Sequence, residues 1–319
     1  IALVYSLTGS LNMAHISQQL VGKVKGAGIL FISVLFLAGF GLKAAQVPFH
    51  AWLPDAHPSA PAPISAMLSG VLIKALGIYA LIRIFYNVLG ITPAVSGIFL
   101  VMGAISMLVG VLLAIAQWDF KRLLAYHSIS QMGYVMLGIG LATPLGILGG
   151  LFHLINHAAF KSLLFFNSGA IEYATNTRQL KEMGGLKERM PITAATCSIA
   201  SFSIAGIPPF NGFWSKLIII IACIQAGKLF YGLIAVIVSI LTLASFLKVQ
   251  RYAIFGDLPL HLKTIKEVPG LMCISMIVLA IFCIGLGALI VPGIRAVVLD
   301  PAVGALQNGV EYAKIVLGN

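Results

Sequence analysis

The sequence predicts an all-α polytopic membrane protein, and three observations carry that reading. Of 319 residues, 60% are hydrophobic and 9% charged, against about 25% charged in soluble domains, and the mean hydropathy is +1.03. The apolar residues fall into runs close to the roughly 20 residues that a helix needs to cross the hydrocarbon. Inside the longest run, 145–171, His153, His157 and Lys161 recur at every fourth residue, which on a helix places them on one face about 6 Å apart. A charged group at mid-bilayer costs about 2.5–3.5 kcal/mol even on lenient insertion scales. Three titratable groups in line therefore point to a path or a binding site; the structural alternative is polar glue between helices.

The net charge of +11 does not point to nucleic acid, because the basic residues are scattered through loops or stand singly in apolar runs. Cys197, Cys223, Cys273 and Cys283 each stand alone in a hydrophobic stretch. No pair has metal-ligand or redox spacing, so no zinc or iron–sulfur site is expected in this chain. No glycine-rich phosphate loop follows a strand pattern, and no cofactor of its own is expected.

Residues 1–9 read as the tail of a truncated helix, without the basic start and cleavage site of a signal peptide. Helices N-terminal to Ile1 are expected to be missing. Residues 10–25 are polar and amphipathic, suited to a surface connection, and 26–42 is the first complete apolar run, closed by Lys43. Prolines at 48, 54, 58, 61 and 63 rule out a continuous helix there, and Trp52 suits a membrane interface. Apolar runs follow at 60–85, with Lys74 near the centre, at 94–117, closed by Trp118-Asp-Phe-Lys-Arg122, and at 123–141 and 145–171. The stretch 172–189 is the longest charged connection. Runs 191–206 and 217–226 flank Gly206-Ile-Pro-Pro-Phe-Asn-Gly-Phe-Trp-Ser-Lys216, which leaves open two tight spans or one interrupted helix with a buried break. Runs 228–248 and 270–291 bring the reading to about nine spans plus the partial first, and the tail from Arg295 suits an interfacial helix.

Pro48-Phe49-His-Ala-Trp52 and Pro209-Phe210-Asn-Gly-Phe-Trp214 echo one another, each after an apolar helix and before a run holding one lysine. Matched proline- or glycine-broken segments are the sequence pointer to an ion pathway. Lys74 lies too deep in its run to reach an interface easily by snorkelling. No Asp or Glu falls inside any apolar run, so a charged partner for Lys74 or Lys161 would have to come from outside this chain. Lys43, Lys121 and Lys248 sit at span ends, where interfacial anchoring is the default; Lys43 and Lys121 remain secondary candidates for the pathway. His15, His50, His57 and His261 read as loop residues, and His127 is a further candidate for a polar path.

Val47-Pro-Phe-His-Ala-Trp-Leu-Pro-Asp-Ala-His57, with Ala60-Pro-Ala-Pro63 and Ile73-Lys74 after it, resembles the antiporter-like subunits shared by respiratory complex I, Mrp sodium/proton antiporters and membrane-bound hydrogenases. So do Asp119-Phe-Lys-Arg-Leu-Leu-Ala-Tyr126 with Ser130-Gln-Met-Gly-Tyr134, then His153-Leu-Ile-Asn-His157-Ala-Ala-Phe-Lys161, and the stretch 206–216. These motifs run in the family's order, and the variant with Met-Leu-Ser-Gly70 is most similar to the hydrogenase-like archaeal or bacterial branch. The resemblance implies a bundle of two inverted five-helix repeats, each with one discontinuous helix, and a row of lysines and histidines at mid-membrane. Lys74 matches the first repeat's central lysine, Lys161 the connecting one and Lys216 the terminal one, which favours a buried break before Lys216. The family's glutamate that pairs with the residue matched by Lys74 is absent and is expected N-terminal to Ile1. On this frame 1–319 is one transmembrane domain. It divides into a helix end (1–9), a polar connection (10–25), the rest of the first repeat with the start of the second (26–142), the rest of the second (143–252), and a C-terminal helix with an interfacial tail (253–319).

The function that follows is a proton-translocating subunit of a redox-driven complex, NADH:quinone oxidoreductase-like or hydrogenase-like, in a prokaryotic cell membrane. The pathway residues are Lys74, Lys161, Lys216, His153 and His157, with His127, Lys121 and Lys43 as secondary candidates. Lysine suits the task because burial brings amine and ammonium closer in energy, so the side chain can load and unload a proton. Expected partners are other membrane subunits, a peripheral redox arm carrying iron–sulfur clusters, and the bilayer. The alternatives are a sodium/proton antiporter subunit of an Mrp-type complex without electron transfer, and a structural subunit with silent lysines.

Overall fold

The computed structural model describes residues 1–20, 26–309 and 311–318; the side chains of Lys74, Ala75 and Tyr312 also lie outside the described residues. Helices α1 (Ala2–Thr8) and α2 (Met13–Leu20) precede the first apolar helix, α3 (Ala27–Lys43). The proline-rich stretch breaks the chain as expected, and it also holds a short helix, α4 (Leu53–Ser59). Pro54 fits the first turn of α4, where a missing N–H costs nothing. Trp52 Nε1 donates to Leu42 O at 2.8 Å, tying the stretch to the last turn of α3. Helix α5 (Ala62–Val88) then runs long, its hydrogen bonding widening to π type over Leu68–Tyr79 and Arg83–Val88.

Helices α6 (Pro93–Ala116), α7 (Phe120–Gly140) and α8 (Pro144–Thr175) follow one another through short turns. Each starts on a side-chain cap: Thr92 Oγ1 accepts from Val95 N, Asp119 Oδ1 from Arg122 N and Thr143 Oγ1 from Gly146 N. Helices α6 and α7 meet backbone to backbone, and a methyl added at Gly103 would lie 2.8 Å from Gly133 O. Small residues permit such an approach where lipid supplies no hydrophobic drive for association. Only Arg122 and Tyr126 of α7 escape full burial. That enclosure explains how one helix carries His127, Ser128, Ser130, Gln131 and Tyr134 at membrane depth: protein, not lipid, surrounds it.

Helix α8 is the spine, packed by α5, α7 and later helices. Helices α9 (Pro191–Ala205) and α10 (Asn211–Gln225) flank the second break, where Gly206 takes φ 83, a left-handed conformation that suits glycine. Helices α11 (Leu229–Phe255), α12 (Gly270–Ile290), α13 (Pro292–Gln307) and α14 (Glu311–Leu317) complete the chain. Among the described residues α5, α6, α8, α11 and α12 are long and apolar enough to cross a membrane, while α3, α9 and α10 are shorter apolar helices. The expected spans therefore include elements shorter or more polar than a lone bilayer-crossing helix.

Candidate functional site

His153, His157 and Lys161 share the inward side of α8, and all three are buried. Each meets a different neighbour. His153 Nδ1 lies 2.9 Å from Ser215 Oγ on α10, and the His157 ring packs edge-on against Phe160 at 5.3 Å. Lys161 Nζ donates to Leu124 O of α7, with the Phe165 ring centroid 5.6 Å away. The same Leu124 carbonyl also accepts from Ser128 Oγ at 3.2 Å.

The break before α10 seats Lys216. The side chain is 2% exposed, and Nζ reaches back to Ile204 O at 2.7 Å, Ala205 O at 3.4 Å and Ser239 Oγ at 3.5 Å. Ile204 and Ala205 end α9, where open carbonyls and the negative end of the helix dipole favour a cation. The break itself is partly exposed, with Pro208 and Pro209 at the surface, while Lys216 one turn beyond it is buried against the end of α9. The Tyr134 ring lies 4.8 Å from Lys216 Nζ and 5.5 Å from the His153 ring, so one buried aromatic links the histidine row to this lysine. A cavity of about 270 Å³ opens between the break and α11, bordered by Lys216 and Ser239.

His127 is buried too, its Nε2 2.8 Å from Ser245 Oγ on α11, within electrostatic reach of Lys161 and Lys216. Lys43 ends α3 exposed and joins none of these contacts. The side chain of Lys74 lies outside the described residues; its backbone falls in the π-bonded part of α5.

Three side chains depart from the sequence reading. Lys121 is not an interfacial anchor: it is buried, with Nζ 2.8 Å from Glu172 Oε2 and 3.2 Å from Ala60 O. Lys248 also turns inward and donates to Ile115 O and Gln117 O, both at 2.6 Å, at the end of α6. His57 is no solvated loop residue but is buried against Phe165, the rings stacked at 4.5 Å. Burial, and then the charges of Lys161 and Lys121, push its imidazole down to about 3. Glu172 lies inside α8, which runs on to Thr175. Arg178 completes the cluster, 3.3 Å from Asp119 Oδ2 and 3.7 Å from Glu172 Oε1, beside a cavity of about 790 Å³. Among the described residues no three His, Cys, Asp or Glu side chains are placed to hold a metal ion.

A profile of the transmembrane family NADH:quinone oxidoreductase/Mrp antiporter matches residues 1–242. The chain belongs to this family. A Na(+)/H(+) antiporter subunit of Alkalihalophilus pseudofirmus is 39% identical over 259 residues, 81% of this chain and 52% of that protein. Hydrogenase-4 component B of Escherichia coli is 39% identical over 283 residues, 81% of this chain and 42% of that protein. The chain thus spans about half the length of the curated relatives it matches. A chain in the structure of the Mrp complex from Dietzia sp. superposes with a TM-score of 0.91 at 29% identity, covering 99% of this chain and 66% of that one.

The buried lysines and histidines have partners that the sequence reading did not single out. Ser215, Ser245 and Tyr134 contact them through side chains, and Leu124, Ile204 and Ala205 through main-chain oxygen. Tyr134 could have been picked from the Ser130-Gln-Met-Gly-Tyr134 motif. The carbonyl partners leave no side-chain signal at all.

Proposed function

We propose that this chain forms the ion-path part of a proton-translocating, antiporter-like subunit, driven within its complex by a redox reaction. The supporting observation is the buried series Lys161, His157 and His153 on α8, linked through Tyr134 and Ser215 to Lys216 at the break. Main-chain carbonyls stabilise an ammonium without neutralising it, and they strand no charge when the lysine releases its proton. In surroundings of low dielectric, a proton gained at one site raises the cost of a proton at the next, so charge advances stepwise. Lys74 enters the row by its motif, and His127, Lys121 and Lys43 flank it. The two repeats occupy 26–142 and 143–252 in this reading. The redox drive would come from a peripheral arm of partner subunits holding iron–sulfur clusters, as the likeness to a hydrogenase component suggests.

A second reading, a sodium/proton antiporter subunit without electron transfer, is favoured by the likeness to an Na(+)/H(+) antiporter subunit and to a chain of an Mrp complex. Purifying the complex and reconstituting it in sealed vesicles separates the two. Redox subunits and donor-driven proton uptake, lost with Lys161→Ala, support the first; a complex without redox subunits, running on a sodium gradient, replaces it with the second.

A further inference from the structure

The larger cavity is lined by Pro58, Ser59 and Ala60, which directly follow His57, a buried histidine outside the row described above. Three cations hold the α4 segment in place over α7 and α8. Arg122 Nη2 meets Asp55 Oδ1 at 3.0 Å, Arg178 Nη1 donates to Pro58 O at 2.7 Å and Lys121 Nζ donates to Ala60 O at 3.2 Å. Lys121, Glu172 and Arg178 also border the cavity, so its polar wall is an ion-paired cluster. His57 stacks on Phe165, 25° from parallel, while Lys161 Nζ approaches the same ring. His57 lies within electrostatic reach of Lys161 and of Lys121. Neither ring nitrogen of His57 has a hydrogen-bond partner among the described residues. An unpaired buried polar group costs about 1–3 kcal/mol, and such exceptions in a folded chain call for a reason in function or bound water.

We infer that this cavity is the aqueous mouth of the proton path, and that His57 relays protons between Lys161 and the Lys121–Glu172 pair. The inference rests on the proton-translocating reading above. A neutral imidazole accepts a proton on one ring nitrogen and releases one from the other; one N–H bond forms as another breaks, and no net charge stays on the ring. Glu172, partly exposed, exchanges protons with cavity water, while Lys121 and Arg178 hold its carboxylate at the wall. Phe165 fixes His57 and Lys161 against a common ring. The cluster thereby provides a route between the buried lysine and the surface that does not run through lipid.

The test uses the whole complex in sealed vesicles. A positioned proton-transfer group contributes roughly 10²–10⁴-fold, so His57→Ala should slow driven proton flux about a hundredfold, and added imidazole should restore part of it. Ser59 borders the cavity and takes no part in the relay. Ser59→Cys should react with a charged, membrane-impermeant thiol reagent from one side of the vesicle only, and the label should block flux. If Lys161→Ala stops pumping while His57→Ala and labelled Ser59→Cys pump normally, the mouth lies elsewhere and the wider proton-path reading stands. A loss in His57→Ala that imidazole does not restore, with Ser59→Cys labelling harmless, gives His57 a packing role and overturns the relay. Where His57→Ala fails to assemble, Ser59→Cys decides: an unlabelled cavity, or labelling without effect, overturns the mouth. Normal pumping by Lys161→Ala overturns the wider reading instead.

Discussion

Replacing Lys161 by methionine separates the two meanings of a buried charge. The variant loses a charge-assisted bond to Leu124 O, worth about 1.5–3 kcal/mol, and a cation–π contact with Phe165, worth about 0.5–2 kcal/mol. Against this stands the desolvation of an ammonium, several kcal/mol per buried ion, which methionine does not incur. Methionine is a flexible, apolar chain that adapts to the space, and Leu124 O keeps Ser128 Oγ as a donor. The opposing contributions nearly cancel, and the folding stability should move by no more than about 2 kcal/mol in either direction. Proton flux should fall roughly a hundredfold or more. Thermal unfolding of the purified complex reads the first quantity and pH-jump fluorescence in sealed vesicles the second. Normal flux would refute a role in transport. A loss of about 3–5 kcal/mol, the cost of breaking a buried ion pair, would show that the charge holds the fold together.

The remaining predictions follow the same contacts. Lys216→Met should abolish flux and cost about 1–3 kcal/mol, because it strips the lysine donor from Ile204 O at the end of α9, while Ala205 O keeps Ser239 Oγ; paired flux and thermal measurements check both. Glu267→Gln should cost about 1–2 kcal/mol on a thermal scan with flux per intact complex unchanged, because the carboxylate accepts from Ile192 N, Thr193 N and Thr193 Oγ1 at the start of α9. Gly103→Ala should cost about 1–3 kcal/mol or block assembly, read by the yield of intact complex, because its methyl would press on Gly133 O. Flux should be the same with and without sodium; strictly sodium-dependent transport that disappears with Lys161→Met would count against a proton path.

The polar row is legible because helix periodicity alone puts residues 153, 157 and 161 on one side of α8, and the paired prolines before Phe210 mark the second break. The burial of Lys121 and His57, and the inward turn of half-buried Lys248, are not. Position along a span tells how far a residue stands from the end of its own helix, but not whether another segment covers that end. Lys121 is at the very start of α7, yet α4 and the turn after it, whose Ala60 O accepts from Lys121 Nζ, lie across it. Lys248 reads as an anchor because its partners, Ile115 O and Gln117 O, belong to a distant turn and leave no mark in side-chain composition. Glu172 reads as part of a connection because the apolar run ends before it, whereas the helix runs on for nearly another turn.

The shortage of carboxylates at membrane depth has a physical account. By composition, a charged partner for a buried lysine would have to come from outside this chain; within it, Lys161, Lys216 and Lys248 all donate to main-chain carbonyls. The ends of α6 and α9 supply most of these, since a helix end leaves carbonyls without an intrahelical donor. A carboxylate partner would bind the charged form tightly and become a stranded anion once the lysine lost its proton. A carbonyl stabilises the ammonium less and remains neutral throughout, so loading and unloading lie closer in free energy. The same arrangement disfavours an alkali cation. Hard cations need several oxygen ligands, usually with a carboxylate among them; here the open carbonyls at Ile204 and Ala205 already accept from the Lys216 amine, whose positive charge repels a second cation. A row built this way suits an ion that a nitrogen lone pair can carry, which is the physical ground for proposing a proton path.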